Sequence, residues 1–159
     1  MFKDLASFLS GFTRLAVIGI GSDIRGDDGI GIYVTDRLKK HNRDPRIDIL
    51  FGGITPENLT GKLKRSRPSH VLMIDAFHDR NAVSDIMLLD PAAADGLDFS
   101  THAFSLGTLA KYIEAEIGSK VMVLGIKAGD LRFGEKISGA VVESGKKVIK
   151  YFRTTVFSS

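Results

Sequence analysis

Short apolar runs separated by stretches of helical spacing constrain this chain more than any other feature. Leu15–Ile20, Ile47–Phe51, Val71–Ala76, Ile86–Leu89 and Val121–Ile126 are aliphatic, partly β-branched, and bounded by turn residues or charges. Several are apolar throughout. A strand with one solvated face alternates, so such runs fit strands covered on both faces. Between them lie helical stripes. Ile30, Tyr33, Val34 and Leu38 form one, with Asp28 placed to cap it. The stretch TPENLTGKLKRS opens another, with Thr55 as N-cap and Pro56 at the first helical position. Leu106, Leu109, Ala110, Ile113 and Ile117 form a third that Gly118 ends. Val141, Val142, Val148, Ile149 and Phe152 mark a last helix from Ser138, weakened by Gly145.

This order predicts an α/β fold: a three-layer α/β/α sandwich on a mostly parallel twisted sheet of about five strands. Ile86–Leu89 follows the third run too closely for a crossover helix, so it is expected as an antiparallel or edge strand. With 159 residues and no linker or repeat, the chain is read as one domain. An amphipathic helix occupies 1–14, with Phe2, Leu5, Phe8, Leu9 and Phe12 at helical spacing. The α/β domain covers 15–152, and 153–159 form a tail.

Composition removes several function classes. The chain has no cysteine, which excludes disulfides, zinc–thiolate sites and a cysteine nucleophile. No apolar run is long enough to span a bilayer. The N-terminal stretch carries Asp4 early and lacks the apolar core and cleavage site of a signal peptide. A cytoplasmic monomer is expected. The net charge of +3 is mild, and its densest cluster, KLKRSR at 62–67, reads as a solvated helix end. Nucleic acid and membrane insertion are therefore not expected.

Ligands of such sheets bind at the carboxyl ends of the strands. The loop after the first run, GIGSDIRGDDGIG (19–31), begins like a phosphate cradle. Gly19 and Gly21 are followed by Ile24 where the third dinucleotide-binding glycine belongs, and Asp27 and Asp28 would repel a pyrophosphate. The third run, VLMIDAF, ends in Asp75, and STHAFS before the third helical stripe holds His102. An acid at the end of a buried strand must be hydrogen-bonded, paired or metal-bound. Asp28 fits either a helix cap or a cleft ligand. His41 and His70 read as surface or loop residues, and His78 as a loop histidine near Asp75. Asp28, Asp75 and His102 together form an oxygen and imidazole donor set suited to zinc, nickel, cobalt, manganese or iron, with positions left open.

The first loop resembles the signature of the [NiFe]-hydrogenase maturation endopeptidases, approximately Gly-x-Gly-Asn-x-Leu-x-Gly-Asp-Asp-Gly-x-Gly. GGITPENL (52–59), VLMIDA (71–76), STHAFSL (100–106) and VLGIKAGDLRFGEKIS (123–138) resemble its later blocks in order. Pro56, Glu57 and Asn58 are most similar to the branch that processes formate-hydrogenlyase-type hydrogenases.

The resemblance implies a protease that clips a C-terminal extension from the hydrogenase large-subunit precursor after nickel insertion. It places the family's metal-binding acids on Asp28 and Asp75 and its histidine on His102. Nickel is then the cofactor, supplied by the precursor, and other divalent metals could occupy the site. The expected catalytic residues are the same three. Either acid, or Asp27 beside a metal-bound Asp28, could serve as general base. No serine–histidine pair or cysteine supports nucleophilic catalysis, although sequence alone does not exclude Ser100 or Ser105 near His102. A non-proteolytic nickel or large-subunit chaperone on the same fold is the alternative. Departures from the family pattern are Ser22 for the usual Asn, Val83-Ser84 for Pro-Gly, and Lys127 where Gln is frequent.

Overall fold

The computed structural model describes residues 1–99 and 105–159. Among the described residues six strands form one sheet: β1 (Leu15–Ile20), β2 (Ile47–Gly53), β3 (His70–His78), β4 (Ile86–Leu89), β5 (Asp98–Phe99) and β6 (Lys120–Lys127). The order is β2-β1-β3-β6-β4, with β5 paired to β3. β1 runs parallel to β2 and β3, and β3 parallel to β6. β4 lies antiparallel on β6 at the edge, and β5 antiparallel on the end of β3. The sheet thus has one strand more than expected, because β5 is a two-residue pairing too short to leave a pattern.

The helices are α1 (Phe2–Leu9), α2 (Ile30–His41), α3 (Thr60–Ser66), α4 (Pro91–Ala94), α5 (Leu106–Ile117) and α6 (Gly139–Tyr151). Two apolar clusters divide them between the faces. Leu15 and Val17 of β1 pack with Leu5, Val34, Leu38 and Val148, from α1, α2 and α6. Ala16, Ile18 and Ile20 pack with Leu63, Leu109 and Ile113, from α3 and α5. Every residue of β1 is buried as a result, which is why the run reads as apolar at each position.

Helix boundaries follow local chemistry. Gly118 takes a left-handed φ of 81° and ends α5. Ser105 caps its start by accepting the Thr108 N–H at 3.0 Å and donating to Thr108 Oγ1 at 2.8 Å. Thr55 and Pro56 open a 3₁₀ turn, Pro56–Leu59, that leads into α3. The expected tail is partly ordered: Phe152–Val156 form a π turn after α6, and Phe152 and Val156 are buried.

His70 is buried, contrary to the surface reading, because α1 lies over the start of β3 and sets Phe8 edge-on to the imidazole at 5.3 Å. Burial first, and then the nearby Lys120 charge, lower its pKa from the ordinary value of 6.5. The folded protein therefore binds this proton less well than the unfolded chain. Stability from neutral His70 is complete above that ordinary value and falls as pH drops from 6.5 toward the lower folded-state pKa. Melting temperatures across this window should decline for the native chain and decline less for His70→Gln. Parallel curves would remove His70 as the cause.

Candidate active site

β2 and β3 lie on opposite sides of β1, so the chain order reverses between β1 and β3. A crevice opens at the carboxyl ends of strands at such a switch point. Pairing between β1 and β3 stops at Gly19 and Ile74, and Asp75 is the next residue along β3. Asp75 lies inside the strand, three residues before its end at His78, and pairs with Gly125 of β6 on its other side. The expectation that it ends the strand is corrected accordingly. β3 outruns β1, and Asp75 sits where its neighbour gives way to a loop.

That loop is pressed tightly against the sheet. Gly21 has a φ of 126°, and a side chain there would collide with the Asp28 carbonyl oxygen and meet Asp75 Oδ1 at 3.5 Å. One residue into α2, a methyl group on Gly31 would strike the carbonyl oxygens of Ile20 and Ile74. Glycine at both positions lets the first turn of α2 seat on the ends of β1 and β3. Asp28 and Asp75, from segments far apart in sequence, are thereby brought to the same glycine.

Both carboxylates are buried, Asp75 at 0% and Asp28 at 3% exposure. Asp28 Oδ2 accepts the Ser22 N–H at 2.9 Å, and Asp75 Oδ1 accepts the Ala76 N–H at 2.8 Å. Asp28 does not cap α2. Gly26–Gly29 form a 3₁₀ turn first, Gly29 holds the N-cap position, and no side chain bonds there. The Ser22 substitution also has little to disturb, since it is the backbone N–H of Ser22 that holds Asp28.

Asp27 turns the opposite way. Its Oδ2 accepts from Gly129 N and Asp130 N, both at 2.8 Å, and from Ser138 Oγ at 3.0 Å. Its Oδ1 accepts from Ser138 N at 2.6 Å, while its own N–H donates to Asp130 O at 2.7 Å. The carboxylate is committed to clamping the loop after β6, which leaves it unsuited to the general-base role considered for it. Nothing in the sequence separated the two adjacent acids. Beside the clamp, Arg132 bonds both oxygens of Asp130 and holds its pKa down to about 2. Lys127 is also engaged, donating from Nζ to Ala82 O at 3.0 Å.

His102, with Ser100, lies outside the described residues. Among the described residues no group of three histidine, cysteine or acidic side chains is placed to hold a metal ion. Among the described residues the expected donors present are two buried carboxylates, hard oxygen ligands of the kind that a divalent cation takes. No helix among the described residues is long and apolar enough to cross a membrane.

No protein-family model matches the chain. The solved structure of the [NiFe]-hydrogenase maturation protease HycI from Thermococcus kodakarensis KOD1 is similar with a TM-score of 0.86 and 32% identity. That match covers 95% of this chain and 97% of that one. A Methanocaldococcus jannaschii protein assigned as a hydrogenase maturation protease is 28% identical over 156 residues, 94% of this chain and 92% of its own length. The hydrogenase 3 maturation protease of Escherichia coli K12 is 28% identical over 109 residues, 68% of this chain and 69% of its own.

Proposed function

Because this chain belongs to the [NiFe]-hydrogenase maturation protease family, we propose that it removes the C-terminal extension of a [NiFe]-hydrogenase large-subunit precursor once nickel has been inserted. The supporting observation is that Gly21 packs on the Asp28 backbone and beside Asp75 Oδ1, so that both buried acids sit where β1 and β3 part.

In this reading nickel arrives as part of the substrate, and Asp28, Asp75 and His102 contact it. A divalent ion beside the scissile bond polarises its carbonyl and makes water a stronger nucleophile at neutral pH. The two carboxylates share the work of contacting the ion and accepting the proton of the attacking water. Asp28 keeps its orientation through the Ser22 N–H, and Asp75 through the Ala76 N–H. Asp27 takes no part in the chemistry and holds the loop after β6 in place through Gly129, Asp130 and Ser138.

Intact-mass spectrometry of a nickel-loaded precursor incubated with the purified chain tests the proposal. The expected product is a precursor shortened by one C-terminal peptide. Stable binding without any loss of mass would instead identify a non-proteolytic chaperone of the large subunit.

A further inference from the structure

The apolar side chains that the fold leaves in solvent are unevenly placed. Among the described residues the large exposed ones are Ile24, Phe51, Ile54, Val83, Tyr112 and Phe133. Ile24 follows β1, Ile54 follows β2, Val83 follows β3 and Phe133 follows β6, while Phe51 lies two residues before the end of β2. These five are therefore at the carboxyl end of the sheet, the end that holds Asp28 and Asp75. Of the six, Tyr112 alone lies elsewhere, on α5, and Lys64 Nζ sits over its ring at 5.1 Å. Single exposed apolar residues are ordinary on a protein surface, but a set gathered at one end marks a contact surface.

Hydrogen bonds tie three of these residues to the loop that carries Asp28. The Ser22 N–H donates to Asp28 Oδ2 at 2.9 Å, which closes the loop from 22 to 28 and leaves Ile24, 59% exposed, on its outer side. On one flank the Gly21 N–H donates to Gly53 O at 2.9 Å, and Ile54 is the next residue. On the other flank the Gly134 N–H donates to Ile24 O at 2.8 Å, directly after Phe133, which is 73% exposed. The Arg25 guanidinium lies over the Phe133 ring at 5.5 Å and restrains the ring before any partner arrives. Asp130 and Arg132, paired at 2.8 Å in the same loop as Phe133, supply a charged border. An apolar centre with a polar border is the anatomy of a protein–protein contact.

We infer that Ile24, Ile54 and Phe133 form the docking surface for the folded body of the large-subunit precursor, as distinct from the segment that is clipped. The inference rests on the endopeptidase reading and extends it to how a protein substrate is held. The first loop carries Asp28 and packs beside Asp75 Oδ1 at Gly21. A folded protein whose chain reaches both acids therefore lies against the exposed side of that loop. The three contact groups are uncharged, so they fit an apolar patch on that protein rather than an acidic or basic one. A second copy of this chain on the same surface would shut the precursor out. Contacts made away from the reacting bond bind ground and transition states alike, so they lower KM without speeding the chemical step.

Two measurements on nickel-loaded precursor test this. One is steady-state cleavage by the native chain and by Ile24→Ser, Ile54→Ser, Phe133→Ser and Phe133→Leu, with Tyr112→Ser as the control. The other is the Kd of the precursor for the same set in an Asp75→Asn background, which holds the precursor without clipping it. Each serine variant should raise KM and Kd about tenfold while kcat stays near native. Phe133→Leu keeps an apolar contact and should recover most of the affinity. All the substituted side chains are exposed, so the variants should melt near the native temperature. Native KM and Kd in the three serine variants, or an equal loss from Tyr112→Ser, would overturn the docking surface while leaving the protease intact. So would a native chain that sediments as a dimer and becomes a monomer in Phe133→Ser. A native chain that binds through these residues and releases no peptide would overturn the endopeptidase reading and keep the docking surface.

Discussion

Asp75→Asn should fold as the native chain does and lose cleavage on the order of 10³-fold, within the range that a positioned acid or base contributes. Asparagine has nearly the same shape and keeps an oxygen for the Ala76 N–H, which Asp75 Oδ1 accepts at 2.8 Å. The negative charge is lost, and with it both the hard-oxygen ligand and the proton acceptor. Because Asp75 is fully buried, a purely structural role would show chiefly in stability. The decisive readings are therefore peptide release and melting temperature on the same preparation. A variant that melts near the native temperature and still releases peptide at the native rate would remove Asp75 from the site.

Asp27→Ala should show the opposite pattern, a large loss of stability centred on one loop. The substitution strips the acceptor from the N–H groups of Gly129, Asp130 and Ser138 together. Leaving donors unsatisfied costs about 1–3 kcal/mol each, and partial rehydration of the freed loop brings the expected total to about 4 kcal/mol. For a domain of this size that is a drop of about 12 °C in melting temperature. Amide exchange should accelerate at those three residues, while strand amides such as those of β1 keep their protection relative to global unfolding. Unchanged exchange at Gly129 and Asp130 would show that the loop holds itself without Asp27. Activity should fall too, since the clamped loop packs against the first loop at Gly26, two residues before Asp28.

Much of the fold was legible because burial on both faces leaves a strong mark. β1 and β4 have the expected bounds, and β3 and β6 only extend past their apolar runs by a residue or two at each end. β5 was not legible, since two residues carry no period. The short helix α4 had a readable signal in Asp90-Pro91: Asp90 caps it by accepting the Ala92 N–H at 2.9 Å, with Pro91 at the first position.

At the site, Asp75 stood out as a charge interrupting an apolar run. Asp27 and Asp28 could not be told apart, because the groups that fix Asp27 lie more than a hundred residues away, at Gly129, Asp130 and Ser138. No local pattern encodes that contact. Arg25 was equally unreadable: in a glycine-rich loop it looks solvated, yet its Nε is buried.

The central claim is that buried Asp28 and Asp75 read a metal ion carried by the precursor. Its most direct test compares nickel-loaded and nickel-free precursor side by side, with the mass of each followed over time. The expected result is loss of the C-terminal peptide from the loaded form alone, with Asp28→Asn and Asp75→Asn leaving both forms intact. Equal shortening of the loaded and empty precursors would contradict the claim, since the two carboxylates would then be cutting without the ion they are held to meet.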